Sequence, residues 1–493
     1  MNDYQTIIET YRAALPPGRL EHFHLAPIDR IGLPFQLLTF YQHGGPTNAG
    51  SGYGMSAEEA FVGALGELNE VVNAHAALQT MPREGGNYRA MLARYGASHV
   101  ADPRTLCLDA GANYTPETAL QWVATRRYGT DDVVYVPLEF VACQGADVPP
   151  AHYLITPITN GLGAGLSYNG AVGHGLLELI QRDGNSVNFR ALAGDTALTL
   201  DEVCDADTLA LLRQLDQLGV DVVAKLASTD FGLANVYVVG MDRLARNDAS
   251  PIMGLACGEA AHPNREYALR KALLEFVAAR ARVGFSHGPL GFVRAVTPPG
   301  YLEMHMQSYN PACDEARALE SMRALARLSL EELRPLLEQR VLKVSGTTSF
   351  SALPTHEEAS TTHDEREAIA QTVAERLQTA GFDILVADFS PSNSPVHAVK
   401  VIVPGLEVET MSYHRIGERN LQRLLDRGES FVHVGNKPQR ALRIHLTEQA
   451  EARIGGSAWL DPAALDAVVG PLYPLYREPA RHAVAWLAEA VKG

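Results

Sequence analysis

The stretch TNGLGAGLSYNGAVGHGLLELIQRDGN, Thr159 to Asn185, sets the reading of the whole chain. Gly161, Gly163 and Gly165 form a glycine-rich turn that passes directly into a helical pattern carrying Glu178, Gln181 and Arg182. Glycine lets a backbone approach a ligand closely and aim its N–H groups at phosphate oxygens. A carboxylate and an arginine on the adjoining helical face suit a metal ion and an anionic group.

The chain repeats this unit. An earlier copy, SGYGMSAEEAFVGALGELNEVV, begins at Ser51, and a later one, GLACGEAAHPNREYALRKALLEFVAARAR, begins at Gly254. Aligned on Ala60, Ala171 and Ala268, the glutamates Glu67, Glu178 and Glu275 share one offset. Residues three or four apart lie on one helix face, so Glu67 with Glu70, Glu178 with Gln181, and Lys271 with Glu275 each converge. A charged residue on one amphipathic helix is most simply a solvated face. Three such helices with matching offsets, each after glycines, point instead to one shared site. Clustered carboxylates repel unless cations sit among them, and hard oxygen ligands beside phosphate suit Mg2+. The residues alone therefore describe a nucleotide–Mg2+ site assembled from three similar helices.

Composition narrows the class. The chain has 493 residues, 46% hydrophobic, and a formal net charge of −16, which argues against a general nucleic-acid or anionic-membrane binder. No apolar run approaches membrane-spanning length, and the start lacks the form of a signal peptide. Five cysteines are scattered without a C-x-x-C pair, as expected of reduced thiols in the cytoplasm.

In chain order, HFHLAP alternates as on a strand, and its histidines read as surface residues. IGLPFQLLTFYQ is strand-like, Thr47–Ser56 reads as a turn, and Ser56 with Glu59 has capping-box spacing. Helix signals lie around Tyr88–Tyr95 and Glu117–Arg127, and VVYVPLEFVAC reads as a buried strand. Asp207–Leu218 is an amphipathic helix ending at Gly219. VDVVAKLA, VYVVGMD, FDILVADF and HAVKVIVPGLE are strands, with helices over Glu315–Arg340 and Glu365–Thr379. The alternation gives an α/β (α+β) class. Expected domains are an N-terminal segment, 1–45, then a catalytic domain, 46–412, with a flexible Ser/Thr-rich insertion near 345–364. A mostly helical extension, 413–493, completes the chain.

Other motifs fall away. There is no G-x-x-x-x-G-K-[ST], Leu166 stands where a dinucleotide fingerprint needs its third glycine, and GLSYNG misses G-x-S-x-G by one residue. His174 and Glu178 do not form H-E-x-x-H, and His262 remains a candidate for approaching the nucleotide or substrate.

These residues also resemble the YcaO proteins. The resemblance rests on Ser51-Gly-Tyr-Gly with Glu67 and Glu70, on Asn160-Gly161 with Glu178, Gln181, Arg182 and Asp183, on Gly258-Glu-Ala-Ala-His262 with Lys271-Ala-Leu-Leu-Glu275, and on the closing Pro404–Glu407. It spans about Asp29 to Glu409 and implies a YcaO-like fold with three similar glycine-turn–helix units around a nucleotide site. YcaO enzymes use ATP to activate a backbone amide of a ribosomally made peptide. A nucleophile adds to the carbonyl, the oxyanion is phosphorylated, and phosphate leaves. A Cys, Ser or Thr side chain gives an azoline, sulfide a thioamide, and an amine an amidine.

The resemblance assigns Mg2+ to Glu67, Glu70, Glu178, Gln181 and Glu275. It assigns ATP to Ser51, Gly52, Asn160, Gly161, Arg182, Lys271 and Arg280, with Arg182 and Lys271 catalytic. Gln181 stands where the family usually has glutamate, Lys271 where arginine is usual, and Tyr53 where lysine is frequent. The implied partners are a precursor peptide, a leader-peptide-binding protein and a second copy in a homodimer. The azoline-forming branch typically ends in P-x-P-x-P, whereas AVAWLAEAVKG closes this sequence. A non-catalytic nucleotide-binding role in ribosomal-protein modification is the rival reading, and an unrelated carboxylate-rich ATP ligase is a third.

Overall fold

A computed structural model describes residues 4–42, 45–149, 154–191, 196–245, 250–308, 316–356, 363–407, 414–470 and 472. Helices and mostly antiparallel sheets are mixed along the chain, as the α+β reading requires. Each repeated unit is a strand followed by a long helix. Gly45–Tyr53 leads to Ala57–Thr80, Leu162–Gly165 to Tyr168–Ala191, and Ala256–His262 to Arg265–His287.

The three motif strands belong to three different sheets, and each is an edge strand. Gly45–Tyr53 closes an antiparallel sheet with Phe35–Gln42 and Arg19–His24. Leu162–Gly165 lies outside His397–Ile402, which pairs with Leu385–Asp388, and that strand pairs in turn with Leu120–Arg127. Ala256–His262 lies outside Ala234–Asp242 and Val220–Ser228.

The glycines explain how each helix sits. A Cβ on Gly52 would come within 2.1 Å of the Ala60 carbonyl oxygen, one on Gly163 within 2.1 Å of the Ala171 oxygen, and one on Gly258 within 2.2 Å of the Ala272 oxygen. Only a strand residue without a side chain lets the helix backbone approach so closely. The alanines aligned from sequence, Ala60, Ala171 and Ala268, are all fully buried, the first two on these crossings. The motif glycines are thus chiefly packing glycines, and most of the segment read as a turn at Thr47–Ser56 is strand. Pairing with Phe35–Gln42 overrides its glycine content. Ser56 does cap the first helix, accepting the N–H of Glu59 at 3.1 Å.

Other expectations shift for tertiary reasons. Glu117–Arg127 is not helical: Leu120–Arg127 is a strand whose Trp122 is fully buried. VVYVPLEFVAC divides into the strand Val133–Pro137 and a short helix, Leu138–Val141. The Ser/Thr-rich insertion is ordered at its start, where Gly346–Ser349 pairs in parallel with Thr196–Thr199 and Phe350 is fully buried. Residues 357–362 lie outside the described residues.

The strands before residue 45 share a sheet with the first motif strand, so the N-terminal segment is continuous with that unit. The extension is not only helical: Val432–Val434, Ala458–Leu460 and Leu442–Ile444 form a sheet beside the helices Glu418–Asp426, Glu448–Ile454 and Pro462–Val469.

This C-terminal module is fastened to the second motif helix through Asp183. The Asp183 carboxylate accepts the backbone N–H of Glu407 at 2.9 Å and the Arg419 guanidinium at 2.8 Å, while Asn420 donates to Ser186. Val187 packs in the module's apolar cluster with Ile416, Leu421 and Leu424.

Candidate nucleotide–metal site

An exposed sheet edge leaves unpaired N–H groups. Here each is taken by the glutamate of its own unit. The Ser51 N–H donates to Glu67 Oε2 at 2.7 Å, the Gly161 N–H to Glu178 Oε2 at 2.9 Å, and the Glu259 N–H to Glu275 Oε2 at 2.9 Å. Gly161 holds φ +88°, a left-handed conformation that favours glycine. Glu70 crosses between units and accepts the Ala164 N–H at 3.0 Å. The offset seen in sequence is therefore a structural equivalence: strand and helix pack alike, so the same helix position meets the strand edge three times.

The motif carboxylates stand close enough for their charges to act on one another. Glu67 remains accessible to solvent, yet burial raises its carboxyl above the usual range, opposed by the Ser51 N–H and hydroxyl. Glu70 is pushed well up, first by burial and then by the charges of Glu178 and Glu67. His174 lies 3.7 Å from Glu70, and burial, with Lys271 and Arg366, pushes its pKa down to about 3. His262, its ring tilted against Tyr267 at 4.3 Å between centroids, is pushed down to about 4 chiefly by burial. Lys271 acts electrostatically on Glu70, His174 and His262, so the third helix brings a cation toward the first unit's Glu70 and the second unit's His174.

Arg182 lies between Glu178, at 3.4 Å, and Glu259, in close contact. Burial works against its charge, but Glu259, Glu178 and Glu275 outweigh that and hold it protonated. Its buried Nε finds no hydrogen-bond partner among the described residues. Glu259 is the site residue that sequence reading missed. It stands on a strand, outside the helical E-x-x-E pattern, and only the meeting of the second and third units brings it to Arg182. Burial lifts its carboxyl to about 7 against the pull of Arg182.

The remaining expectations sort by position. The Ser51 hydroxyl donates to Glu67 at 2.9 Å, and Gln181 is buried beside Glu259, whose carboxyl it draws down. Gly52 serves the helix crossing. Asn160 lines a cavity of about 30 Å3 behind the second strand, with Glu139, Leu179, Lys400 and Arg415. Arg280 is corrected: its fully buried guanidinium binds Asp29, Asp242 and the Gly254 carbonyl, which spends its donors on structure rather than on a ligand. Among the described residues no three His, Cys, Asp or Glu side chains form a ready-made metal site. The donor chemistry nonetheless fits a hard cation that binds together with phosphate. Each motif glutamate commits one oxygen to a backbone N–H, and the second oxygens of Glu67, Glu70 and Glu275 have no hydrogen-bond partner among the described residues.

A family model described as YcaO cyclodehydratase, ATP- and Mg2+-binding, matches residues 51–407. The chain belongs to the YcaO family. An uncharacterized protein of Methanothermobacter thermautotrophicus is 26% identical over 394 residues, 80% of this chain and 90% of that protein. A heterocyclase solved in complex with substrate and cofactor superposes with TM-score 0.62 at 16% identity, over 86% of this chain but only 55% of its own length. YcaO from Methanopyrus kandleri, solved with AMPPCP and Mg2+, gives TM-score 0.55 at 21% identity, over 84% of this chain and 94% of that one. At these identities the structural likenesses establish the YcaO fold, and the matched range contains all three strand–helix units.

Proposed function

We propose that this protein uses ATP with Mg2+ to O-phosphorylate backbone amides of a ribosomally synthesised peptide, most directly closing Cys, Ser or Thr residues to azolines. The observation that carries this reading is the triple cap. Three sheet edges hold three glutamates at matching places, and beside them Glu70 is pushed up by burial and by the charges of Glu178 and Glu67. Such a cluster is stabilised by a polyvalent cation.

Glu67, Glu70, Glu178 and Glu275 would hold Mg2+, with Gln181 a neutral oxygen donor nearby. Bound there, Mg2+ would neutralise phosphate charge. Ser51, Gly161, Arg182 and Lys271 are the groups for the phosphates. Lys271 lacks the bidentate fork of arginine but still supplies a positive charge. Arg182 carries a charge that the phosphates can share with Glu178 and Glu259. An amide oxygen is a very poor leaving group; phosphorylation makes it a good one, and the protein's share is positioning and charge neutralisation. The peptide, a leader-binding partner, a homodimer and a cytoplasmic setting belong to the same proposal. No helix among the described residues is long and apolar enough to cross a membrane.

Thioamide or amidine formation follows from the same activation with a different nucleophile. The test is ATP binding and turnover with Mg2+, wild type against Glu178→Ala, with candidate peptides followed by mass. Loss of one water per site with ADP release, abolished in the variant, supports ring or amidine closure. Exchange of oxygen for sulfur when sulfide is supplied indicates thioamidation. Binding without any peptide change favours the accessory role, and no ATP binding sinks the nucleotide reading.

A further inference from the structure

One position of the repeat reaches from the first unit to the second, and again from the second to the third. Glu70, three residues past Glu67, leaves its own unit to accept the Ala164 N–H on the second edge strand at 3.0 Å. Gln181 stands three residues past Glu178, and its side chain lies near enough to Glu259 on the third edge strand to draw that carboxyl's pKa down. The two positions correspond, but the first copy bridges with a carboxylate and the second with a neutral amide.

A carboxylate from the third unit, Glu259, meets this part of the second helix. Glu259 is 5% exposed, and its carboxylate also takes Arg182 and Asn185 in close hydrogen bonds. Positions 181, 182 and 185 lie on one helical face, so three side chains of the second helix converge on one carboxylate from another element. The same residue's N–H holds Glu275. Glu259 therefore touches both the arginine and one of the metal-facing glutamates' anchor points.

We propose that Glu259, paired with Gln181, is the second unit's displaced carboxylate: a positioning residue that fixes Arg182 and completes the negative charge of the site. This rests on the nucleotide-site reading above. Its test compares wild type, Glu259→Gln, Gln181→Glu and the double variant, with ATP and Mg2+ as the probe in isothermal titration. Glu259→Gln leaves Arg182 one partner short, and Gln181→Glu sets two carboxylates against each other. Each single change is expected to weaken ATP about tenfold or more, with the double variant back within about threefold of wild type. The Mg2+ concentration needed for binding should rise in the singles and recover in the double.

A folded Glu259→Gln protein with wild-type ATP affinity and Mg2+ requirement would overturn the proposal, as would a double variant no better than its worse parent. Thermal unfolding of the four proteins without ATP separates the two readings. If wild type binds no ATP, the nucleotide reading fails by itself. The melts then decide the pairing: compensating shifts in the double variant support it, and strict additivity refutes it.

Discussion

Gly258→Ala is the sharpest test of how the site is built. A Cβ there would sit 2.2 Å from both the Ala272 carbonyl oxygen and the Phe276 nitrogen, and both are backbone atoms of the third helix. Contacts of this kind are not made below 3.0 Å, so strand and helix must separate by most of an ångström. Overpacking of this severity costs about 3 kcal/mol. The same displacement stretches the 2.9 Å bond from the Glu259 N–H to Glu275, and losing a hydrogen bond to a charged group adds about 1.5–3 kcal/mol. The expected total is about 4 kcal/mol or more.

Gly66→Ala is the matched control. It lies inside the first helix, nothing stands within 4 Å of its Cβ, and removing an interior helical glycine should add about 0.8 kcal/mol of stability. The assay is denaturant unfolding of both variants, with hydrogen exchange at the Glu259 amide as the local readout. A Gly258→Ala protein within about 1 kcal/mol of wild type, with its Glu259 amide still protected, would refute the close-crossing account.

Three further outcomes are expected. Glu139, facing the cavity behind the second strand, has its carboxyl raised to about 7 by burial, against the Leu154 N–H. A raised folded-state value stabilises fully below the unfolded pKa and is lost as pH climbs through the folded one. Glu139→Gln should therefore flatten the fall in stability between about pH 4.5 and 7 and raise stability at pH 8 by about 2 kcal/mol, and an unchanged pH–stability curve contradicts it. Arg419→Ala deprives the buried Asp183 of its ion-pair partner and should cost about 2 kcal/mol, less than a fully buried pair because Asn420 and the Glu407 N–H remain; hydrogen exchange across Glu418–Asp426 should rise. Asn264→Ala removes the cap that accepts the Tyr267 N–H at 3.1 Å and should lower the melting point by the equivalent of about 1 kcal/mol, with no change expected if the cap is idle.

Much was legible in the sequence because it is local. The offset of Glu67, Glu178 and Glu275 is a helix-face property, fixed by 3.6-residue periodicity, and the structure places all three on equivalent N–H groups. The buried alanines and strand glycines carried the packing signal too, although the glycines first looked like phosphate cradles. Propensity failed where pairing partners lie far away. Gly45–Tyr53 becomes strand because Phe35–Gln42 offers it a ladder, and Leu120–Arg127 because it is flanked by Leu385–Asp388 and Val133–Pro137. Arg280 shows the same limit in the site: its place on the third helix gives no hint that Asp29, 251 residues away, consumes it. Glu259 shows it in reverse, since a lone strand carboxylate has no motif until the second helix is laid against it.

By itself, the sequence determined three glycine-led helices, their matching glutamates and the family they belong to, because these follow from periodicity and short-range spacing. Only the tertiary structure decided that the three strands are sheet edges, that Glu259 meets Arg182, and that Asp183 anchors the C-terminal module. Those facts depend on contacts between residues far apart in the chain, whose geometry is set by how the helices and sheets pack together.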